Sequence, residues 1–348
     1  MYDSVADLAL TVEDWSLTRH ERDTSSGFVR RSTVFELHGD GHTGRGEDVT
    51  YESEDHLDPA APPGFEFGGE TTFGTFSERV GRMDLFPDPP EREDFRNYRR
   101  WAVESAALDL ALKQADTSLA TALGREYDPL RFIVSTRLAE DDGPPTADRV
   151  LDILDAYPGT EFKLDPTAAW DEALISDLAA TDQVRVVDMK GHYEGTEVDQ
   201  EPDPDLYRRV LEGFPDAVVE DPALTEAVRP TLVGEEGRVS WDAPIHGLSD
   251  VRDLPFEPEW LNIKPSRFGS VASLFETIEF CLENDVTMYG GGQFELSVGR
   301  DHIQALASVF YPDGPNDVAP GGYNDPDVGS ALPTSPLEPS AEITGIGW

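Results

Sequence analysis

Six short apolar runs, each ending in a charged residue, recur at regular intervals through the centre of the chain. Successive end residues lie 25, 32, 22, 22 and 31 positions apart, which is about the length of one strand and its return helix. Such runs are typical of parallel strands buried on both faces. The spacing therefore predicts an α/β fold with a (β/α)8-type barrel, in which the chemistry lies where the strands end. The end residues are Lys163, Asp188, Glu220, Asp242, Lys264 and Glu295.

The first 128 residues do not follow this rhythm. Strand-like runs at residues 8–12 and 33–37 flank a polar turn, and the glycine-rich stretch 40–48 predicts another turn. Apolar residues near a 3.6-residue period then predict a helix over 97–123. We expect three parts: an α+β capping domain over 1–128, the barrel over 129–325, and a C-terminal extension over 326–348 that packs back on the cap or is loose.

Acidic residues outnumber basic residues by 70 to 27, giving a formal net charge of −43. This charge repels nucleic acids and anionic membranes, so we expect neither as a partner. The acids are spread along the chain, which favours adaptation to molar salt over an acidic interaction tail. We expect a cytoplasmic protein of a halophile, because we see no transmembrane stretch or secretory signal, and because the single cysteine, Cys281, cannot form an internal disulfide.

Lysine is rare in this chain, and its positions are informative. Only four of the 27 basic residues are lysines, and Lys163, Lys190 and Lys264 lie at predicted strand ends. Arginine stays protonated in proteins, whereas a partly buried lysine can act as a base. The distribution indicates acid–base chemistry at these three residues, with chance placement in a small sample as the alternative.

Three carboxylates, those of Asp188, Glu220 and Asp242, follow successive predicted strands. Converging carboxylates repel one another unless a cation holds them, and a set of oxygen ligands favours Mg²⁺, with Mn²⁺ as a substitute. The alternative is that each carboxylate caps the following helix. Lysines on both flanks favour the metal site. A metal there would bind a carboxylate substrate and stabilise the enediolate that forms when a lysine removes the α-proton.

Five segments spread over nearly the whole chain follow a pattern known from one enzyme family. They are Gly44-Arg45-Gly46-Glu47, the helix of residues 101–124, Glu220-Asp221-Pro222, the stretch 262–269 (Asn-Ile-Lys-Pro-Ser-Arg-Phe-Gly), and 291–295 (Gly-Gly-Gln-Phe-Glu) with Gly299-Arg300. By these segments the chain resembles the enolase superfamily, and within it the muconate-lactonising enzymes, o-succinylbenzoate synthases and N-acylamino-acid racemases. The resemblance implies that Asp188, Glu220 and Asp242 ligate Mg²⁺ and that Lys264 is a base or cationic stabiliser.

Two strand ends depart from that family's pattern. Where the family has Lys-x-Lys after the second strand, this chain has Lys163-Leu164-Asp165, and where the family has Asp-x-Asn after the third, it has Asp188-Met189-Lys190. A lysine lost at one strand end and gained at the next indicates either a relocated base or a site without turnover. Lys264, Lys163 and Lys190 are therefore the candidate catalytic residues, and Glu295 and Asp165 the candidate substrate contacts.

The resulting expectation is a metal-dependent enzyme acting on a small carboxylate substrate. A lyase similar to o-succinylbenzoate synthase or to an acid-sugar dehydratase fits best, because a one-base elimination needs a base on only one face of the substrate. A racemase, epimerase or cycloisomerase is the first alternative. A non-catalytic binding protein is the second, since Asp165 replaces a lysine. The sequence leaves the substrate and a homo-oligomeric state open.

Overall fold

The structure is a computed structural model that describes residues 1–138, 143–196 and 198–347. Residue 348, the last of the expected C-terminal extension, lies outside the described residues, as do positions 139–142 and 197 of the expected barrel. Two parts follow one another along the chain. The first, which we call the cap, carries antiparallel strands, and the second, which we call the barrel, carries parallel strands.

Two small antiparallel sheets and several helices form the cap. Its strands are β1 (Ala9–Val12), β2 (Asp14–Asp23), β3 (Val29–Gly39), β4 (His42–Asp48) and β5 (Gly69–Thr72). Its helices are α1 (Asp3–Ala6), α2 (Phe73–Val80), α3 (Phe95–Gln114) and α4 (Leu119–Ala122), with a 3-10 turn at Ser53–Asp55. β3 lies between β2 and β4 in one sheet, and β1 pairs with β5 in the other.

The pairing of the cap strands differs from the prediction. The polar turn does join two strands, but the partner of β3 is β2, a strand that the sequence pattern does not reveal. β1 pairs instead with β5, where Ala9 faces Thr72. The predicted helix over 97–123 is interrupted between α3 and α4, where Asp116 has a φ of 50°. These differences arise because polar strands at a sheet edge carry little alternation in sequence.

The glycine-rich stretch 40–48 is mostly a strand, so the prediction of a turn is wrong beyond its first two residues. The chain turns at Asp40 and Gly41, and β4 then pairs with β3. A glycine is required at position 44 of β4 for steric reasons. A Cβ there would come within 2.1 Å of the Ala106 carbonyl oxygen in α3, so the glycine lets β4 lie directly on that helix.

Seven parallel strands, hydrogen-bonded in chain order, form the barrel sheet in the described residues. They are β6 (Val134–Thr136), β7 (Phe162–Leu164), β8 (Val184–Asp188), β9 (Val218–Glu220), β10 (Val239–Trp241), β11 (Trp260–Ile263) and β12 (Thr287–Gly290). The surrounding helices are α5 (Asp148–Ala156), α6 (Glu172–Ala179), α7 (Pro204–Gly213), α8 (Leu248–Arg252), α9 (Pro265–Phe268), α10 (Val271–Glu283) and α11 (Val298–Phe310). Further 3-10 turns lie at Arg229–Leu232, Glu236–Arg238 and Gly321–Asn324.

An extended segment takes the place of an eighth strand between the two ends of this sheet. The backbone N–H of Ile133 donates to the Asn316 carbonyl at 2.8 Å, and the N–H of Asp317 donates to the Gly290 carbonyl at 2.8 Å. The side chain of Asn316 also accepts the Gly290 N–H at 2.6 Å. The (β/α)8-type fold class is thereby confirmed, and the closing segment places Asp317 at the carboxyl ends of the strands.

Two layers of apolar side chains stabilise the barrel. One is a small separate cluster of four residues: Ile133, Val186, Val218 and Tyr289. The other is the main core, which lies between the strands and the helices. Each fully buried aliphatic side chain contributes roughly 1.5–3 kcal/mol relative to exposure. Cys281 is buried in α10 as a free thiol. Across the described parts of the chain, every helix is too short or too polar to span a lipid bilayer.

The C-terminal extension runs along both parts of the molecule. Leu337 forms a bridge with Leu130 at the start of the barrel, and the Leu119 N–H of the cap donates to the Gly345 carbonyl at 2.9 Å. The Ile346 N–H donates to Asp109 Oδ1 of α3 at 3.1 Å. These contacts make the extension a strap between barrel and cap.

Candidate active site

The charged residues that follow successive strands meet at one end of the barrel. The side chains of Asp188, Glu220 and Asp242 are completely buried, and the lysine residues Lys163 and Lys264 are 2 and 6 % exposed. This convergence follows from the parallel sheet, which brings all its carboxyl ends to one face. A carboxylate at such depth must be paired, hydrogen-bonded or protonated.

Lys163 in β7 contacts three carboxylates. Its Nζ donates to Glu220 Oε1 and lies 3.2 Å from Asp188 Oδ2 and 3.8 Å from Asp317 Oδ2. Burial opposes its charge, but Glu220, Asp188 and Asp317 together raise the pKa of Lys163 well above its usual value. Lys163 is therefore a fixed cation in this arrangement.

Glu220 at the end of β9 is surrounded by hydrogen-bond donors. Besides Lys163, its carboxylate accepts from Asn262 Nδ2 at 3.1 Å and from the Tyr289 hydroxyl. Burial raises the pKa of Glu220 to about 8, against the attraction of Lys163. The pattern of apolar runs ending in a charge does not single out Asn262 and Tyr289, because both lie within the strands rather than at their ends; Asn262 enters the sequence analysis only as the first residue of the 262–269 stretch.

Lys190 lies just beyond the end of β8 and turns back toward the site with a φ of 53°. Its Nζ lies 2.5 Å from Asp188 Oδ2 and 3.5 Å from Asp165 Oδ2. Burial opposes the charge of Lys190, but Asp165 and Asp188 raise its pKa. Burial would raise the pKa of Asp188, but Lys190 and Lys163 outweigh it and hold that pKa below its usual range.

Asp242, which follows β10, contacts a second set of cations. Lys264 Nζ lies 2.8 Å and the Tyr193 hydroxyl 2.9 Å from its Oδ2, while Arg267 Nε lies 3.1 Å from its Oδ1. Burial would raise the pKa of Asp242, but Arg267 and Lys264 hold it well below its usual range. Tyr193 also accepts from Arg267 Nη2 at 3.2 Å, and its ring lies 5.0 Å from the Lys190 ammonium.

A third carboxylate, that of Asp221, lies with Asp188 and Glu220. Single oxygens of these three buried residues lie within 4.8 Å of one another, an arrangement that could hold a metal ion. Asp221 accepts the backbone N–H groups of Asp242 and Ala243 at 2.9 and 2.8 Å. Burial, reinforced by Asp242 and Asp188, raises the pKa of Asp221 to about 7. Asp242, the third ligand expected from the sequence, lies beside this group rather than within it.

The charges at this end of the barrel do not balance. Fully ionised, six carboxylates and four cations leave a formal excess of two negative charges in a buried place, and the raised pKa values of Glu220 and Asp221 reflect the cost of that excess without a further cation. A divalent cation would balance the excess, and carboxylate oxygens are ligands that Mg²⁺ and Mn²⁺ prefer. The residues present therefore fit such a metal. They are Asp165, Asp188, Glu220, Asp221, Asp242 and Asp317 with Lys163, Lys190, Lys264 and Arg267.

Two further polar residues at the site, Asp317 and Tyr193, also escape the sequence pattern. Asp317 comes from the segment that closes the barrel, whose asparagine, proline and glycine residues give no strand signal. Burial raises its pKa in spite of Lys163 and Lys264. Tyr193 lies in the loop after β8, where position alone gives no direction to a side chain. Its position three residues after Lys190, a candidate catalytic residue, is the one feature of the sequence that could have pointed to it.

Glu295, expected to contact substrate, lies in the loop after β12. Its Oε1 accepts the Gln293 N–H at 2.8 Å, and its Oε2 lies 3.7 Å from Arg300 Nη2. The structure thus brings Lys163, Lys190, Asp165, Asp188 and Glu220 into one contact network. Lys264 joins them through Asp242, and Glu295 borders the network on the β12 side.

Comparison with known proteins places most of the chain in a family. Residues 3–122 match the model described as the domain of unknown function (DUF8230) N-terminal domain, and residues 126–325 match the corresponding C-terminal domain. A curated relative, an o-succinylbenzoate synthase of Bacillus subtilis (strain 168), is 24% identical over 252 residues. That alignment covers 70% of this chain and 65% of the synthase, so it spans less than two thirds of the relative's length.

Solved structures resemble the chain over almost its full length. A member of the enolase superfamily from Listeria innocua Clip11262 has a TM-score of 0.63 at 19% identity, covering 90% of this chain and 86% of the other. A dipeptide epimerase from Methylococcus capsulatus, complexed with Mg ion, has a TM-score of 0.62 at 17% identity, with coverages of 91% and 88%. The expected resemblance is confirmed in the fold. The chain belongs to the DUF8230 family, and its fold is that of the enolase superfamily.

Proposed function

We propose that this protein is a divalent-metal-dependent enzyme that removes the proton next to the carboxylate of a small acid. The observation that carries the proposal is the buried excess of carboxylates over cations, bordered by lysines on two sides. Purely structural ion pairs balance their charges, because an unpaired buried charge is strongly destabilising. Perturbed ionisable groups collected at the carboxyl ends of barrel strands favour a catalytic site.

The metal would be Mg²⁺ or Mn²⁺, held by Asp188 and Glu220 with Asp221 or Asp242 as the third carboxylate. When bound, it would polarise a substrate carboxylate and so make the neighbouring C–H more acidic. The Mg ion in the M. capsulatus epimerase structure supports this choice. Asn262 and Tyr289, which donate to Glu220, would keep its carboxylate oriented.

Lys264 is the base in this proposal. Lys163 faces three carboxylates and Lys190 faces two, and these contacts raise the pKa of both lysines, which makes them poor proton acceptors. Among the described residues, the Lys264 ammonium forms an ion pair within 4 Å with a single carboxylate, that of Asp242. Lys163 and Lys190 would act as cations that attract and orient the anionic substrate from the opposite side.

A lyase is our first choice of reaction, because elimination needs one base and the curated relative is named o-succinylbenzoate synthase. An isomerase is the second candidate. Lys190 supports it, since this lysine contacts Asp188 and Asp165 while Lys264 contacts Asp242, so the site holds a second lysine that could serve as an acid–base group. The acidic composition supports a small-molecule substrate rather than nucleic acid or membrane, and a salt-rich cytoplasm as the setting.

Proton exchange tests the proposal directly. The purified protein in molar KCl, loaded with MgCl₂ in D₂O, should exchange the α-proton of at least one acid in a panel of aryl succinates, acid sugars and dipeptides. Exchange should stop with excess EDTA and return with Mg²⁺ or Mn²⁺. Product analysis separates elimination from inversion of configuration. Metal-independent exchange, or tight acid binding without any exchange, would contradict the enzyme proposal and favour a binding protein.

A further inference from the structure

Arg30 of β3 is a buried arginine that bonds to the cap and to the barrel at once. Its side chain is completely buried, and in the described part of the chain no carboxylate oxygen lies within 4.0 Å of its guanidinium. Its N–H groups donate instead to four backbone carbonyls. Two belong to the cap: Nη1 donates to Thr50 at 2.7 Å and Nη2 donates to Val49. Two belong to the loop after β12: Nη2 also donates to Gln293 at 3.0 Å, and Nε donates to Phe294 at 3.4 Å.

These bonds hold the loop after β12 against the cap. A buried guanidinium costs free energy unless its N–H groups keep their acceptors. If the loop moved away from the cap, Arg30 would lose two of its four carbonyl acceptors. The ring of Tyr51, whose centroid lies 4.3 Å from Arg30 Cζ, packs on the guanidinium from the cap side. The arrangement therefore favours the loop position in which all four bonds exist.

Phe294 shows that the loop needs such a hold. Its φ of 55° lies in the left-handed region, which residues other than glycine seldom adopt. The carbonyls of Gln293 and Phe294 lie on either side of this rotation, so one guanidinium that bonds to both fixes the angle. The ring of Phe28, just before β3, adds an edge-to-face contact at 5.4 Å between centroids. The cap thus keeps the loop in a conformation that a free loop would seldom adopt.

The loop begins against the side chain of Lys264. The N–H of Gly291 donates to the carbonyl of Ile263, the residue before Lys264, at 3.1 Å. A Cβ on Gly291 would come within 2.7 Å of Lys264 Cε, so the backbone at position 291 lies directly on the lysine stem. A shift of the loop would therefore open space around that stem.

Two further contacts join the cap to the surroundings of Lys264. The side chain of Gln293 accepts from the Tyr51 hydroxyl at 3.0 Å through Oε1 and donates to the Tyr98 hydroxyl at 3.3 Å through Nε2. Asn97 of α3 donates to the Arg267 carbonyl at 2.8 Å, and so bonds the cap to α9, the helix that begins at residue 265. The segments before and after the lysine in space are thus both bonded to the cap.

We propose that Arg30 is a positioning residue for Lys264: it holds the loop after β12 against the lysine stem and so keeps the ammonium where proton abstraction needs it. The inference rests on the proposed function, because it concerns the base of that reaction. A displacement of about 1 Å at a reacting group costs roughly a hundredfold in rate. The cap is then more than a cover, since one of its side chains determines where the base lies.

Lysine labelling tests the proposal without a substrate. The chain has four lysines, so acetylation by a water-soluble N-hydroxysuccinimide ester, in MgCl₂ and molar KCl, is followed at each of them by mass spectrometry. Arg30→Met keeps a long side chain but removes the donors. The labelling rate of Lys264 should rise at least roughly threefold in this variant, because a released loop uncovers the stem more often. The rates of Lys163 and Lys190 should stay at their wild-type values.

Arg31→Met is the matched control. Arg31 is the next residue of β3, and its guanidinium pairs with Glu21 at the surface, their closest atoms being 2.6 Å apart. This variant should keep the wild-type labelling rate of all four lysines. If Arg30→Met does not fold, Tyr51→Phe takes its place, because it removes only the hydroxyl that bonds to Gln293. It should raise the labelling of Lys264 in the same selective way.

Proton exchange separates positioning from a general loss of structure. With any acid that the wild type exchanges, Arg30→Met should lower the maximal exchange rate at least roughly tenfold, while KM and Mg²⁺ affinity stay within about twofold of wild type. Wild-type labelling of Lys264 in the folded variant, equal increases at Lys163, Lys190 and Lys264, or an unchanged maximal rate would each overturn the inference. If the wild type exchanges no acid, the enzyme proposal fails, and the labelling alone decides whether Arg30 positions Lys264.

Discussion

The ammonium of Lys190 lies 3.5 Å from the carboxylate of Asp165, so a lysine after the third barrel strand reaches a carboxylate after the second. The two positions are those at which this chain departs from the pattern it otherwise resembles. Together they keep one cation beside Asp188, where Lys190 Nζ lies 2.5 Å from Oδ2. The relocation thus keeps a lysine next to Asp188, while Asp165 makes the formal charge of these positions one unit more negative than in the family pattern.

Removing a carboxylate from the buried group should weaken metal binding. Asp188→Asn and Glu220→Gln should each lower Mg²⁺ affinity at least tenfold, because each removes one hard anionic ligand. Comparing Asp221→Asn with Asp242→Asn then identifies the third ligand, since the larger loss marks the residue that touches the ion. Calorimetry in matched KCl measures all four, with the exposed Asp205→Asn as control. Wild-type affinity in every variant would refute the metal site.

Stability should depend steeply on salt. At about 0.1 M KCl the screening length is about 10 Å, against about 3 Å at 1 M, so the carboxylates of a chain with net charge −43 repel one another over longer distances at low salt. The melting temperature should fall as KCl is lowered across this range. Scanning calorimetry in KCl, with a neutral osmolyte at matched osmolality as control, makes the measurement. A salt-independent melting temperature would argue against adaptation to molar salt.

His302 of α11 should make the fold sensitive to mild acid. Burial lowers the pKa of His302 to about 4, and the side chain is 2 % exposed. The unfolded chain binds the proton near pH 6.5, so stability is complete above that pH and falls by about 3 kcal/mol as the pH drops from 6.5 to 4. His302→Gln should flatten this part of the stability curve in urea titrations.

The matched change His42→Gln, at the exposed first residue of β4, should retain the wild-type pH dependence. Other groups also titrate in this range, so the informative quantity is the difference between the two variants. Identical slopes for both variants between pH 6.5 and 5 would show that His302 does not titrate as the structure indicates.

Glu47 should anchor the cap to the barrel. Its carboxylate accepts three backbone N–H groups at the start of α11, of which that of Gly299 is buried, and these groups would otherwise lose their acceptor. Glu47→Ala should therefore lower the free energy of unfolding by about 3 kcal/mol, since each unsatisfied buried amide costs roughly 1–3 kcal/mol. Urea unfolding in molar KCl measures the change. Glu276→Ala on the exposed face of α10 is the control, and equal midpoints for the two variants would contradict the anchor.

The sequence predicts the barrel well because each buried strand is a continuous apolar run that ends in a charge. That pattern is sufficient to identify Lys163, Asp188, Glu220 and Asp242. It cannot identify Asp317 or Tyr193, because the side-chain direction of a residue in a loop depends on contacts with distant segments. The pairing of β1 with β5 is unpredictable for a similar reason, because the long connection between the two strands does not determine which of their residues pair.

The sequence also does not show which charged side chains are buried. The spacing brings three carboxylates together, but the structure adds Asp221 and Asp317, places Asp165 with them, and so reveals the excess of negative charge. The same holds for Arg300, whose Nε is buried without a hydrogen-bond partner among the described residues.

The central claim is that Lys264 removes an α-proton beside a divalent metal. The most direct measurement is the rate of α-proton exchange with D₂O, followed by NMR, for wild type, Lys264→Ala and Lys190→Ala, each loaded with Mg²⁺ and with its metal affinity measured in parallel. We predict that Lys264→Ala loses exchange by at least roughly 10³-fold while binding Mg²⁺ nearly as well as wild type, as expected for removal of a general base. Wild-type exchange in Lys264→Ala, together with lost exchange in Lys190→Ala, would contradict the account and assign the base to Lys190.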